Sequence, residues 1–494
     1  MLFNSLDFLI FFPIVVLVYF VVPKKIRYIW LLAASYYFYM CWNVEYALLI
    51  GVSTLITYLS GLVLWKAEKI WLRKLIVAVS FISNLGILIF YKYFDFILEN
   101  VNVLLSRINC QLVSNPFDII LPVGISFYTF QALSYTVDVY RKEIQAEKNP
   151  LRYALFVSFF PQLVAGPIER SKNLLCQVKK VEEIKLWNYD RVANGVIQML
   201  WGLFQKMVIA DRIAIFVDNV YDNLYAVGTI ETLFAAVGFS IQIYCDFAAY
   251  STIAIGAAKV MGFELMENFD TPYFAASIKD FWRRWHISLS SWFRDYLYIP
   301  MGGNRKGKVR KYFNIFVTFL VSGLWHGASW NYVIWGGLHG LYQIVGELLS
   351  PLKKKINSLF GVNEKVFSYK FGKILFTFVL TTLTWVFFRA ETLEQAGYFF
   401  NRLFTRWNPW VFFNEGLYQY GLGRVEVNIL FAALVFMFLI ELLKYVKNRK
   451  FSDFLMEQNL WFRWVVVIGL VVGILVYGEY GIAFDSNQFI YFQF

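Results

Sequence analysis

The chain has 494 residues, 59% of them hydrophobic and only 16% charged, and its mean hydropathy is positive. That leaves too little polar surface to coat a soluble globule of this size, so a water-soluble protein is excluded and lipid must serve as part of the solvent. The formal charge of +12 would suggest nucleic acid in a soluble protein, but the 46 Lys and Arg sit between apolar runs, as in cytoplasmic loops, so no nucleic-acid partner is expected.

In chain order, the first apolar run covers 2–22. It is too long for a signal-peptide core and lacks a basic leader or small-residue cleavage site, so a retained first span is expected. Lys24, Lys25 and Arg27 follow it, Trp42-Asn43-Val44-Glu45 divides the second span from the third, and Lys66, Lys69, Arg73 and Lys74 follow the third. Alternating sides then place the N-terminus outside. Spans near 75–93, 118–136, 193–210 and 228–256 keep that parity. The basic loops 305–311 and 353–355 should both be cytoplasmic, so the apolar stretch between them must cross twice or turn back. Spans near 372–390, 426–443 and 462–480 leave the C-terminus outside. The expectation is one all-α domain over 1–494: a polytopic membrane helical bundle of roughly 11–12 spans around a central tunnel.

Two segments depart from simple spans. Residues 153–168 are apolar but flanked on both sides by cytoplasmic charge, and they contain Pro161, Gly166 and Pro167. This predicts a re-entrant loop beside an internal chamber, because broken backbone at membrane depth needs protein or water to satisfy it. Residues 391–425 are the longest candidate outer loop. The four cysteines, Cys41, Cys110, Cys176 and Cys245, lie far apart without a Cys-x-x-Cys pair, so they indicate neither a disulfide framework nor a metal site and read as small hydrophobes.

Histidine carries the most information. The chain has three, His286, His326 and His339, all within about a tenth of its length. A single intramembrane histidine serves as a structural hydrogen-bonder as readily as a catalyst, but clustering favours proton transfer, for which imidazole is suited near neutral pH. His326 lies fifteen residues beyond Lys311, so a helix rising about 1.5 Å per residue carries it roughly 20 Å into the membrane. Small residues and indoles surround it in Gly323-Leu324-Trp325-His326-Gly327-Ala328-Ser329-Trp330-Asn331, which suits close helix approach around a substrate. His339, between Gly337 and Gly340, reads as structural. His286 follows Asp280-Phe281-Trp282-Arg283-Arg284-Trp285, which suits an interfacial helix at a cavity mouth, with Arg283 and Arg284 attracting an anionic donor.

Leu121-Pro122-Val123-Gly124-Ile125-Ser126-Phe127-Tyr128-Thr129-Phe130-Gln131, Phe160-Pro161-Gln162-Leu163-Val164-Ala165-Gly166-Pro167, Phe281-Trp282-Arg283-Arg284-Trp285-His286 and Leu324-Trp325-His326-Gly327 resemble the signature blocks of bacterial membrane-bound O-acyltransferases. The alginate O-acetylation branch fits best, and the likeness runs from the first span to Phe489–Phe494. The resemblance implies that His326 is the catalytic histidine, deep in a tunnel, and that His286 is a second, supporting one. It also implies a location in the bacterial cell membrane and an extracytoplasmic esterase-like or transferase subunit that acylates a polysaccharide or wall polymer. Where the family shows Tyr-x-Asp-Phe-Ser-Gly-Tyr-Ser-Asp, this chain has Tyr244-Cys245-Asp246-Phe247-Ala248-Ala249-Tyr250-Ser251-Thr252, which weakens transfer of the acceptor. Asp246 and Tyr250 fit either the chamber lining or an interhelical hydrogen bond.

The reaction expected is acyl, most simply acetyl, transfer from acetyl-CoA or another acyl thioester, with no bound cofactor and no metal. His326 would act as base, while Trp325, Trp330 and Asn331 would supply oxyanion donors. The competing reading is a proton-coupled transporter or flippase of a polymer precursor. Against it, the ionisable residues form no relay and the halves show no inverted repeat.

Overall fold

Helix starts follow from capping side chains. Ser5 Oγ accepts from Phe8 N–H (3.2 Å) ahead of Leu6–Val21, and Asn43 Oδ1 accepts from Glu45 N–H (2.8 Å) ahead of Val44–Lys66, so the expected divider at 42–45 is a helix cap. Asn149 likewise caps Pro150–Ser158, with Pro150 in the first turn. The computed structural model describes residues 1–117 and 120–480, and the closing segment 489–494 lies outside them. The described residues are helical with no strands, as expected for a polytopic membrane protein. Contacts divide them into two interleaved units, Met1–Gly195 with Ala254–Met266, and Val196–Ile253 with Glu267 onward.

Among the described residues six helices are long and apolar enough to cross a membrane: Val44–Lys66, Ile70–Arg107, Thr229–Met261, Phe367–Arg389, Arg424–Lys447 and Leu460–Tyr477. The first expected span is a shorter apolar helix of 16 residues, Leu6–Val21. Gly307–His326 and Trp330–Leu348, with 20 and 19 residues, have the length but not the uniform apolarity. Helices packed against protein need only an apolar stripe, so counting spans by hydropathy blurs there.

In the first unit, the stretch 153–168 falls on a helix broken at Phe159 and followed by the single turn Phe160–Leu163. Residues 155–168 are buried throughout. Side chains satisfy the freed backbone: Phe160 N–H donates to Ser35 Oγ (3.1 Å), and the Gln131 amide (2.5 Å) and the Gln162 amide (3.3 Å) donate to the Phe156 carbonyl. Gln162 also donates to Gln131 Oε1 (2.8 Å). Protein thus replaces the water that a broken backbone would otherwise need.

In the second unit, 391–425 is not an open loop. Thr392 caps the helix Leu393–Thr405, and buried Asn408 then accepts from Ile230 N–H (3.1 Å) and donates to Glu231 Oε2 (2.6 Å), fastening the segment to the first turn of Thr229–Met261. The reading of the cysteines also changes, since Cys41, Cys110 and Cys176 are exposed and only Cys245 is buried.

Candidate active site

Gly307–His326 and Trp330–Leu348 form a helical hairpin that carries His326 at its tip. Closeness is set by glycine: a Cβ at Gly323 would lie 2.1 Å from the Tyr332 carbonyl oxygen, and one at Gly336 would lie 2.3 Å from the Phe319 carbonyl oxygen. Lys311 Nζ pairs with Glu347 Oε1 (2.5 Å) at the other end of the hairpin, so His326 and the basic segment occupy opposite ends of a 20-residue helix. The fifteen residues from Lys311 to His326 therefore lie on one helix, as the spacing argument assumes.

His326 is 3% exposed. Its ring centroid lies 5.0 Å from Trp325, 5.0 Å from Trp335, 5.4 Å from Phe388 and 6.4 Å from His286. The two histidines proposed from sequence are therefore neighbours, although 40 residues separate them. His286 is fully buried, with Phe247 at 4.6 Å and Trp325 at 5.9 Å. It does not stand at an exposed mouth. It joins the short helices Ile278–Arg284 and Ile287–Phe293 in a left-handed conformation, φ 43° and ψ 54°. Such a backbone costs about 1–3 kcal/mol in a non-glycine residue and persists only where its surroundings impose it. Here Ile287 N–H donates to the Asn268 carbonyl (2.9 Å) and Asp270 N–H to the Arg284 carbonyl (2.9 Å), holding the bend from both sides.

Asn268 also sets the proton on His286. Its Oδ1 lies 3.3 Å from the Ser288 backbone N–H, a group that can only donate, and it accepts from Ser288 Oγ (2.8 Å), while Nδ2 donates to Ser251 Oγ (2.9 Å). The same Oδ1 lies 3.1 Å from His286 Nδ1. An acceptor there requires Nδ1–H, so Nε2 carries the lone pair of the neutral ring. Enclosed by the rings of Phe247, Trp325 and His326, this imidazole is away from water, and a low-dielectric setting favours its neutral form.

His339 has partners at both ring nitrogens: Trp282 Nε1 donates to its Nδ1 (3.2 Å), and Thr384 Oγ1 lies 3.0 Å from Nε2. The remaining sequence candidates scatter. Arg283 is largely exposed beside Asp280 (2.8 Å). Arg284 is held by Asp280 (3.3 Å), Asp270 (3.6 Å) and the Tyr445 ring. Trp325 is buried between the histidines, whereas Trp330 is 53% exposed at the start of its helix. Asn331 donates to the Ala390 carbonyl (2.5 Å), tying two helices. Asp246 pairs with Lys206 (2.6 Å), which also pairs with Asp211 (2.6 Å) and lies 5.7 Å from the Tyr250 ring, all buried.

Sequence reading missed Asn268 and Trp335. Trp335 is fully buried against His326, and its indole Nε1 makes no hydrogen bond among the described residues. Asn268 lies in Glu267-Asn268-Phe269-Asp270-Thr271-Pro272-Tyr273, where no spacing links it to His286. Among the described residues no three His, Cys, Asp or Glu side chains converge as a metal site would require.

A helical membrane protein with a buried histidine pair in an aromatic cage fits an acyltransferase, and residues 61–390 match the profile of the membrane-bound O-acyltransferase family. The chain belongs to that family and is an O-acyltransferase. It is 38% identical over 416 residues to a probable alginate O-acetylase AlgI of Pseudomonas syringae pv. tomato, covering 82% of this chain and 75% of the relative. It is 36% identical over 429 residues to a peptidoglycan O-acetyltransferase of Helicobacter pylori, covering 80% and 78%. Similarity to a teichoic acid D-alanyltransferase of Bacillus subtilis is 30% over 257 residues, or 49% of this chain and 62% of that one.

Proposed function

We propose that this chain passes an acyl group, most simply acetyl, from a cytosolic thioester such as acetyl-CoA to a hydroxyl destined for an extracellular or cell-wall polysaccharide. It works in the bacterial cell membrane, N-terminus outside, beside an extracytoplasmic subunit that completes the transfer. The observation that carries this reading is the buried His286 and His326 pair, 6.4 Å apart between ring centroids, at the tip of the hairpin.

His326 takes the proton from the acceptor hydroxyl as that oxygen attacks the thioester carbonyl. The tetrahedral intermediate then expels the thiolate, and the imidazolium of His326 returns the proton to sulfur. Positioned general-base catalysis of this kind contributes roughly 10²- to 10⁴-fold. The Trp335 indole N–H is the best-placed donor for the oxyanion, being buried beside His326 and not engaged elsewhere among the described residues. His286, neutral and locked by Asn268, supports His326 and the entering acyl group as a positioning residue. Arg283, exposed near this bend, suits the phosphates of the donor.

The test is acyl transfer by membranes carrying His326→Ala, with circular dichroism and thermal midpoint as folding controls. Activity should fall by at least about 10²-fold. Unchanged activity in correctly folded variant protein would remove His326 from the chemistry.

A further inference from the structure

The segment between the hairpin and the span Phe367–Arg389 combines single-sign charge with uncovered apolar surface. From 349 to 375 it holds six lysines, Lys353, Lys354, Lys355, Lys365, Lys370 and Lys373, against Glu364 as its one acid. Within it lies the helix Ser350–Leu359, none of whose residues is buried.

At about 100° per residue, Leu352, Ile356, Leu359 and Phe360 share an arc roughly 100° wide. Lys353 and Lys355 fall on its two margins, and Lys354 lies opposite. The apolar members are strongly exposed, Leu359 at 78% and Phe360 at 74%. A lysine on each margin is the arrangement in which aliphatic stems lie along an apolar surface and ammonium groups reach the headgroup layer.

The helix is pinned in place. Asn357 donates to Tyr369 Oη (2.7 Å) and to Glu364 Oε1 (2.8 Å), while Lys353 and Lys373 each sit 5.7 Å from the Tyr369 ring. Glu364 is thereby engaged locally, and Glu347 at the hairpin base is engaged by Lys311. The neighbouring span exposes Phe371, Leu375, Phe376 and Val379, its lipid-facing stripe, just beyond the lysines. The lysines therefore border that exposed apolar stripe.

We propose that Ser350–Leu359 and the first turns of Phe367–Arg389 form an interfacial shelf that binds the headgroups of anionic phospholipid. A soluble phosphate would use the lysines alone. A lipid uses both the lysines and the exposed Leu359 and Phe360, and for that reason lipid is the occupant. A polybasic element of this kind gains attraction from each lysine near an anionic surface.

The full chain, purified in neutral detergent, is titrated with dioctanoyl phosphatidylglycerol while the thermal midpoint is followed. Parallel arms use dioctanoyl phosphatidylcholine and sodium pyrophosphate. Phosphatidylglycerol alone should raise the midpoint, and Lys353→Gln/Lys354→Gln/Lys355→Gln should shift half-saturation to at least about tenfold higher lipid. Lys354 and Lys355 are exposed and Asn357 keeps its bonds to Tyr369 and Glu364, so without added lipid the variant's midpoint should fall by no more than the lost Lys353–Tyr369 ring contact accounts for. Lys365→Gln/Lys370→Gln/Lys373→Gln provides a second, independent reading. An equal rise with phosphatidylcholine, a rise with pyrophosphate of the same size, or an unchanged titration in both variants would overturn the proposal.

Discussion

At the scale of single residues, the site depends on side chains that hold other side chains. Asn268 connects Ser251 on Thr229–Met261 to the His286 ring and the Ser288 backbone N–H through its side-chain amide, which sets the tautomer, while its backbone carbonyl accepts from Ile287 N–H at the bend. Asn268→Ala should lower kcat while leaving the KM for the thioester near its original value, because it touches the imidazole and not the donor. The exchange also leaves the Ser288 and His286 donors without their acceptor, a loss of about 1–3 kcal/mol. Steady-state kinetics paired with thermal midpoints separate the two effects. An effect on KM alone would show Asn268 to be part of donor binding. The polar residues Asp246 and Tyr250 illustrate the opposite case. Both were legible as buried, but Lys206 and Asp211 lie 40 and 35 positions before Asp246, and only folding brings them together.

At the scale of elements, the hairpin Gly307–His326 with Trp330–Leu348 is the part most fully written in local sequence. Lys311 to His326 is one unbroken helix, Ser329 caps the return helix, and the glycines allow contact. Gly336→Ala should therefore destabilise the protein, since its Cβ would fall 2.3 Å from the Phe319 carbonyl oxygen. Overpacking of this kind typically costs about 1–3 kcal/mol. Gly346→Ala, with no atom within 4 Å of the added Cβ, is the control and should be neutral or slightly stabilising. Thermal midpoints of the two variants decide it, and equal midpoints would mean that the hairpin yields to the methyl group. The broken helix at 153–168 was likewise visible through its prolines, yet the glutamines that satisfy it come from Ile125–Tyr140 and from its own second half.

At the scale of the whole molecule, the reading concerns sidedness. If basic loops face the cytoplasm, single cysteines introduced in 305–311, in a background lacking the three exposed cysteines, should react with a membrane-impermeant maleimide only after the cell interior is opened. Labelling of intact cells would reverse the orientation and place the donor on the wrong side for His326. The six long apolar helices make the protein multi-pass, but fewer than the 11–12 expected crossings stand out by length and apolarity. Interior helices carry polar side chains toward one another, and their composition then no longer distinguishes them from soluble helices.

What the amino-acid sequence determined alone was whatever depends on neighbours in the chain or on bulk composition. Lipid as solvent, the helical class and the break around Pro161 all follow from runs, spacings and caps of a few residues. The tertiary structure decided what depends on residues far apart in the chain meeting: the approach of His286 to His326, the Asn268 link that sets its proton, the Trp335 wall, and the clamp of Asn408 on Glu231. The division has a physical cause. Hydrophobic transfer and helix capping are local, nearly additive terms, whereas hydrogen-bond partners across helices are selected by packing and leave no period in the chain.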